Sequence, residues 1–119
     1  MVFHIVLFRP KPAVTDADRQ AMFDALSAAS INIPTVRGFH VGNRIKHGRP
    51  YEHLMEQSYP YAAVIEFDDL DGLQAYLNHP QHEKLGALFY ELLEAGLVYD
   101  YEMNAPKAPT TAAYTADRK

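Results

Sequence analysis

The sequence predicts an α+β domain whose elements follow the order β-α-β-β-α-β, with the helices gathered on one face of a four-stranded antiparallel sheet. Three observations lead there. Four apolar segments have strand character, helical apolar stripes separate the first pair and the last pair, and proline or glycine punctuates the joints. At 119 residues, 48% hydrophobic and 22% charged, the chain fits one such domain and leaves little room for a second.

The first strand is Val2 to Phe8, with Val2, His4, Val6 and Phe8 pointing one way and Phe3, Ile5 and Leu7 the other, and Pro10 and Pro12 end it. Thr15-Asp16-Ala17-Asp18 then opens a helix, because the hydroxyl can cap free amides and the carboxylates favour the positive end of the helix dipole. Met22, Phe23, Leu26 and Ala29 form its apolar stripe, and Ile33-Pro34 closes it. Val36 to Ile45 reads as the second strand, with Phe39, Val41 and Asn43 opposite His40, Gly42 and Arg44. Lys46 to Ser58 holds no period and reads as a long loop with one helical turn near Glu52 to Glu56.

Tyr59 to Phe67 is the third strand, with Tyr61, Ala63, Ile65 and Phe67 opposite Ala62, Val64 and Glu66. Asp68-Asp69 caps a short helix carrying Leu70, Leu73, Tyr76 and Leu77. Pro80 has no amide to donate and suits only a first turn, so a further helix starts there, burying Leu85, Leu88, Phe89, Leu92 and Leu93 and stopping at Gly96. Leu97 to Met103 is the last strand, and residues 104–119, rich in Ala, Pro and Thr, read as a flexible tail beyond a domain of residues 1–103.

This order, with the second helix split at Pro80, is the ferredoxin-like arrangement, in which one sheet face is left without helices. A lone sheet with one solvated face carries polar residues on it. Here both faces are apolar: His4, Val6, Phe8, Tyr61, Ala63, Ile65 and Val98 on one, and Phe3, Ile5, Leu7, Ala62, Val64, Leu97, Tyr99 and Tyr101 on the other. The second set is expected to meet the same set of another copy, closing two sheets into a dimeric α+β barrel. The alternative is that the tail or the long loop folds over the sheet in cis.

Composition narrows function. With no cysteine there is no disulfide framework, thiolate metal site or cysteine nucleophile. A net charge of −4 argues against a general nucleic-acid binder, although Arg44, Lys46, His47, Arg49 and His53 form a local basic run. That run is a solvated loop or a guard at a pocket mouth that attracts an anionic ligand. The apolar N-terminus is broken by Arg9, Pro10, Lys11 and Pro12, which fits neither a signal peptide nor a membrane span, so a soluble cytoplasmic chain is expected.

His4-Ile5-Val6-Leu7-Phe8, the Val36 to Gly42 segment, Val64-Ile65-Glu66-Phe67, the stretch Leu73 to His82 with its His79-Pro80-Gln81-His82 element, and Val98-Tyr99-Asp100-Tyr101 together resemble the stress-responsive A/B barrel (Dabb) family. The resemblance runs from about Met1 to Met103. It implies a dimeric α+β barrel and, by analogy with the plant polyketide cyclase of the family, chemistry without cofactor or metal. It also implies a catalytic set of His4, His82 and Tyr76. The chain departs from that cyclase at Tyr61, where the cyclase has a further pocket histidine, so its substrate need not be the same.

Each candidate has two readings. His4 lies mid-strand among Val and Phe, where burial favours a neutral imidazole able to accept a proton; otherwise it is a buried histidine bonded to a local carbonyl. His82 falls in the first turn of the last helix, where the dipole also favours the neutral ring; otherwise it is an exposed helix-start residue. His79 and His82 have metal-ligand spacing, but no third ligand is evident, and His79 beside Pro80 fits a cap better, so no metal is expected. Tyr76 and Tyr61 can donate to a developing enolate, and Asp100 can orient His82; otherwise the tyrosines are amphipathic core residues and Asp100 is a surface carboxylate. Met22, Phe23, Leu26, Ala63, Ile65, Leu85, Leu93 and Val98 are core or the lining of a small-molecule pocket.

Three functions follow. The first is a cofactor-free cyclase or isomerase acting on a small hydrophobic carbonyl compound, with His82 as base and His4 and Tyr76 holding the oxyanion. The second is a non-catalytic dimeric stress-response or binding protein with structural histidines. The third, a cofactor-independent monooxygenase or haem-degrading enzyme, is weakened by the absence of Trp and of a haem-ligand pattern.

Overall fold

A computed structural model describes residues 1–104. Its elements are β1 (Val2–Pro10), α1 (Asp16–Asn32), β2 (Val36–Asn43), a 3₁₀ turn (Pro50–Leu54), β3 (Tyr61–Phe67), α2 (Leu70–Leu77), α3 (Pro80–Leu92) and β4 (Leu93–Glu102). The sheet order is β2-β3-β1-β4, and every neighbouring pair is antiparallel. This is the expected ferredoxin-like βαββαβ fold, with the second helical segment broken at Pro80. The tail expected over residues 104–119 lies, apart from Asn104, outside the described residues.

Local chemistry sets the helix starts. Thr15 caps α1 through its side chain, and Asp18 returns a bond to the Thr15 amide, which makes a complete capping box. Asp69 caps α2 by accepting from the Gly72 amide at 2.8 Å. His79 caps α3, its Nδ1 accepting from the Gln81 amide at 3.1 Å, and Pro80 takes the first-turn position where its missing amide costs nothing.

Several boundaries move from their expected places, β1 among them, which runs on to Pro10 instead of ending at Phe8. Gly96 does not stop the last helix: α3 ends at Leu92 and β4 begins at once, so Gly96 lies within the strand opposite Phe8. The ladder with β1 extends back to Leu93 opposite Pro10, and its hydrogen bonds outweigh the local glycine signal. β2 stops at Asn43 rather than Ile45, and β3 starts at Tyr61 rather than Tyr59, because Asn43 and Tyr61 are the last partners in register. The helical turn of the long loop spans Pro50–Leu54, and Glu52 organises it by accepting from the His47 and Gly48 amides. Gly48 there has φ 83°, a conformation few other residues adopt.

The core fills the space between helices and sheet. Phe8, Ala63, Ile65 and Phe67 from the strands meet Met22, Leu26, Ala29, Leu73, Tyr76 and Leu85 from the helices, and all are buried. On the opposite face Phe3, Ile5, Leu7, Ala62, Val64 and Leu97 are half-buried, and Tyr99 and Tyr101 are exposed. Among the described residues the long loop reaches this face only at its edge, where it forms a cavity with Leu7 and Ala62. Among the described residues the helix side of β4 is also uncovered: α3 packs against α1 rather than over β4, and Val98 is 55% exposed. No helix of the described residues is long and apolar enough to cross a membrane.

Candidate functional site

His4 sits at the middle of β1 on the helix-facing side and is 5% exposed. In the antiparallel register it stands opposite Ile65 on β3 and Asp100 on β4. Directly opposed residues present their side chains on the same face, and the Asp100 carboxylate accepts from His4 Nδ1 at 2.5 Å. Asp100 therefore orients His4, not His82 as the sequence suggested; the ladder, which spans 96 residues of chain, decides its partner. With Nδ1 donating to the carboxylate, Nε2 is the nitrogen left for a ligand.

Tyr76, on α2, is 2% exposed and lies between the two histidines. Its ring centroid is 5.7 Å from that of His4 and 4.8 Å from that of His82, both edge-on. Burial pushes its phenol up to about 12, so it remains a proton donor at neutral pH. Among the described residues neither its hydroxyl nor His4 Nε2 has a hydrogen-bond partner, yet no fully buried side-chain polar atom of those residues lacks one. Both groups therefore reach open volume.

His82 lies in the first turn of α3, held there by the His79-Pro80 start. Burial pulls its imidazole below the usual range, and the nearness of His4 lowers it further, while the Leu77 carbonyl and Glu83 act in the opposite sense. Burial thus adds to the first-turn position that favours a neutral ring. His79 spends its Nδ1 on the helix cap, and no group of three His, Asp or Glu side chains among the described residues is gathered for a metal ion.

The open volume is a cavity of about 250 Å³ between helices and sheet. It is lined by His4, Tyr76 and His82 together with Val6, Leu26, Ile65, Leu77, Leu85, Gly86, Phe89 and Val98. Of the residues expected to bind substrate, Leu26, Ile65, Leu85 and Val98 line it, and Asp100 acts through His4. Met22, Phe23, Tyr61, Ala63 and Leu93 do not line it. Met22 and Ala63 are fully enclosed core, Tyr61 stacks on Phe8 and meets Phe23 edge-on, and Leu93 packs at the margin of the core. Val6, Leu77 and Phe89 were absent from the expected lining although they share its apolar stripes. Gly86 carried no signal at all.

The basic loop does not guard this cavity. Arg44 and His47 line a separate space of about 430 Å³ beside Leu7 and Ala62, while Lys46, Arg49 and His53 line neither. Arg44 donates to the Ser58 hydroxyl at 2.7 Å, and His47 Nε2 pairs with the Tyr51 hydroxyl at 2.6 Å, so both are engaged within the loop. The smaller cavity sets His4, Tyr76 and His82 in an apolar wall, whereas Arg44, His47, Tyr51 and Glu52 of the larger one are engaged within the loop, so the smaller is the better site on chemical grounds.

Fold and site together define a ferredoxin-like domain that carries a His-Tyr-His cluster in a small apolar cavity beneath its helices. The family model for the stress responsive A/B barrel domain matches residues 2–103, and the chain belongs to that family. It is 22% identical over 100 residues to olivetolic acid cyclase of Cannabis sativa, a match covering 84% of this chain and 94% of the cyclase. A dimeric ferredoxin-like protein of unknown function from Thermobifida fusca is 27% identical, with a TM-score of 0.69 over 86% of this chain and 90% of that one. The hydroxynitrile lyase of Passiflora edulis shares the fold at a TM-score of 0.77 and 16% identity, over 89% of this chain and 95% of the lyase.

Proposed function

We propose that this protein is a cofactor-free enzyme that enolises a compact, hydrophobic, carbonyl-bearing molecule and directs its cyclisation or isomerisation. One observation carries the reading: a Tyr76 hydroxyl with no hydrogen-bond partner among the described residues stands between two histidines, one backed by a carboxylate, at the wall of an apolar cavity. A cavity of about 250 Å³ lies just below the usual range of roughly 300–1,000 Å³ for ligand sites, so it suits a small substrate.

The roles follow from the environments. His82, kept neutral by burial, accepts the proton from a carbon flanked by carbonyl groups. The enolate oxygen takes a hydrogen bond from the Tyr76 hydroxyl, with the His4 ring, held by Asp100 through Nδ1, beside it. The nearness of His4 adds to burial in discouraging a resting proton on His82, which leaves His82 as the base. His82 returns its proton to the product. The similarity to a cyclase over most of both chains supports this class of reaction.

We also infer a homodimer through the helix-free face of the sheet. Phe3, Ile5, Leu7, Val64, Leu97, Tyr99 and Tyr101 make a contiguous apolar surface of the kind that monomers rarely leave open. Similar structures described as dimeric ferredoxin-like proteins support it. A non-catalytic binding protein would use the same cavity, but holding an apolar ligand does not require a free phenol or a carboxylate-backed imidazole.

The test is a panel of β-dicarbonyl and polyketide-type compounds incubated with wild type and His82→Ala, reading deuterium exchange at the acidic carbon by NMR and products by mass spectrometry. Wild type is expected to accelerate exchange and the variant to lose the acceleration. Equal rates in both overturn the role given to His82.

A further inference from the structure

The residues lining the His4 cavity differ sharply in exposure. His4, Leu26, Ile65, Tyr76 and Leu85 are at most 5% exposed and form its floor. Gly86 and Val98 line the same cavity and are exposed, so they stand at its rim. Gly86 belongs to α3 and Val98 to β4, and α3 leans on α1 instead of covering β4. The rim is therefore the gap between this helix and the edge strand.

Nothing in the fold asks for glycine at position 86. It is the seventh residue of a thirteen-residue helix, where glycine is unfavourable because its backbone loses the most freedom. Its φ is not positive, since Gly48 alone has that conformation among the described residues. A Cβ built there meets no atom within 4 Å, so close packing does not require its absence either. Position 86 follows His82 by one helical turn, which puts any side chain there on the same face, over the approach to the imidazole.

We propose that Gly86 keeps open the mouth of the cavity between α3 and β4 and sets the size of the molecule admitted. Val98 forms the opposing lip, and two residues further along the same strand face stands the Asp100 carboxylate. Among the described residues no lysine or arginine lines the cavity. A mouth of this composition favours an uncharged molecule over an anion. The inference rests on the cavity being the ligand site proposed above, but access can be read without any substrate.

Diethyl pyrocarbonate serves as the probe, since it acylates an unprotonated imidazole and releases ethanol and carbon dioxide. Peptide mass spectrometry follows its addition to His4, at the cavity floor, against exposed His53 as internal reference. Wild type is expected to be modified at both. Gly86→Phe should lose modification at His4 and keep it at His53, whereas Gly86→Ala should keep both and melt at a higher temperature. Should Gly86→Phe fail to fold, Val98→Trp closes the mouth from the other lip and is read the same way. An unreactive His4 in wild type, a wild-type rate at His4 in the folded blocking variant, or a lower melting temperature for Gly86→Ala overturns the proposal. None of these outcomes depends on whether the enzyme reaction is correct.

Discussion

His4 Nδ1 and the Asp100 carboxylate stand 2.5 Å apart across the β1–β4 ladder, joining the first strand of the domain to the last at the floor of the cavity. Asp100 touches no part of the cavity itself and works by positioning the His4 ring. Asp100→Asn is expected to cost about 1 kcal/mol of stability, less than a fully buried charged hydrogen bond because the carboxylate side chain is 39% exposed. Urea denaturation measures that loss. If His4 stands at the reacting centre as proposed above, kcat should fall more than KM changes, since no substrate contact is removed.

Tyr76 separates packing from chemistry. Tyr76→Phe keeps the buried ring and removes a hydroxyl with no partner among the described residues, so stability should change by no more than about 0.5 kcal/mol. Tyr76→Ala empties the centre of the cluster formed with His4, Phe67 and His82 and should cost about 3–5 kcal/mol. A phenol in the catalytic role loses activity in both variants. Full activity in a stable Tyr76→Phe would restrict the residue to packing.

His82 links stability to acid. Its folded-state imidazole lies below the usual value of about 6.5, so above that pH the ring is neutral in both folded and unfolded chains and its contribution is fully present. As the pH falls below about 6.5 toward the lower folded value, the unfolded chain takes up the proton first and stability is lost. The midpoint of urea unfolding should therefore decline with acid in this window, and His82→Gln should flatten part of that decline. An unchanged slope would mean that His82 titrates alike in both states.

Association is expected to depend on the helix-free face. Val64 lies near the centre of that face, paired with Ile5 on β1 and His40 on β2. Val64→Glu should yield a folded monomer by light scattering, because a carboxylate buried between two sheets would lack a partner. A wild-type protein that is already monomeric at micromolar concentration would remove the case for the barrel.

Much of the fold was legible in the chain because its signals are local. Thr15 with Asp18, Asp69 before Leu70, and His79 before Pro80 mark helix starts through contacts made within three residues. The period-two pattern of β1 and β3 assigned Phe8, Ala63, Ile65 and Phe67 to the side that the helices bury. The ends of β2, β3 and β4 were not legible. They are set by which residue finds a partner on the neighbouring strand, and Gly96 shows how pairing overrides a local stop signal.

The same division holds at the cavity. His4, Tyr76 and His82 were identified by residue type, by their place on a strand or helix, and by the His79-Pro80-Gln81-His82 element. Their mutual approach depends on α2 and α3 lying over β1. Register alone gave Asp100 to His4, and helix packing alone left Met22, Phe23, Tyr61, Ala63 and Leu93 outside the cavity while admitting Gly86. The sequence by itself determined which segments form helices and strands and which residues bear the chemistry, because capping and periodicity act over a few residues. Only the tertiary structure decided which of those residues meet and where the cavity opens, because contacts between elements depend on register and on the angle at which α3 leaves β4 uncovered.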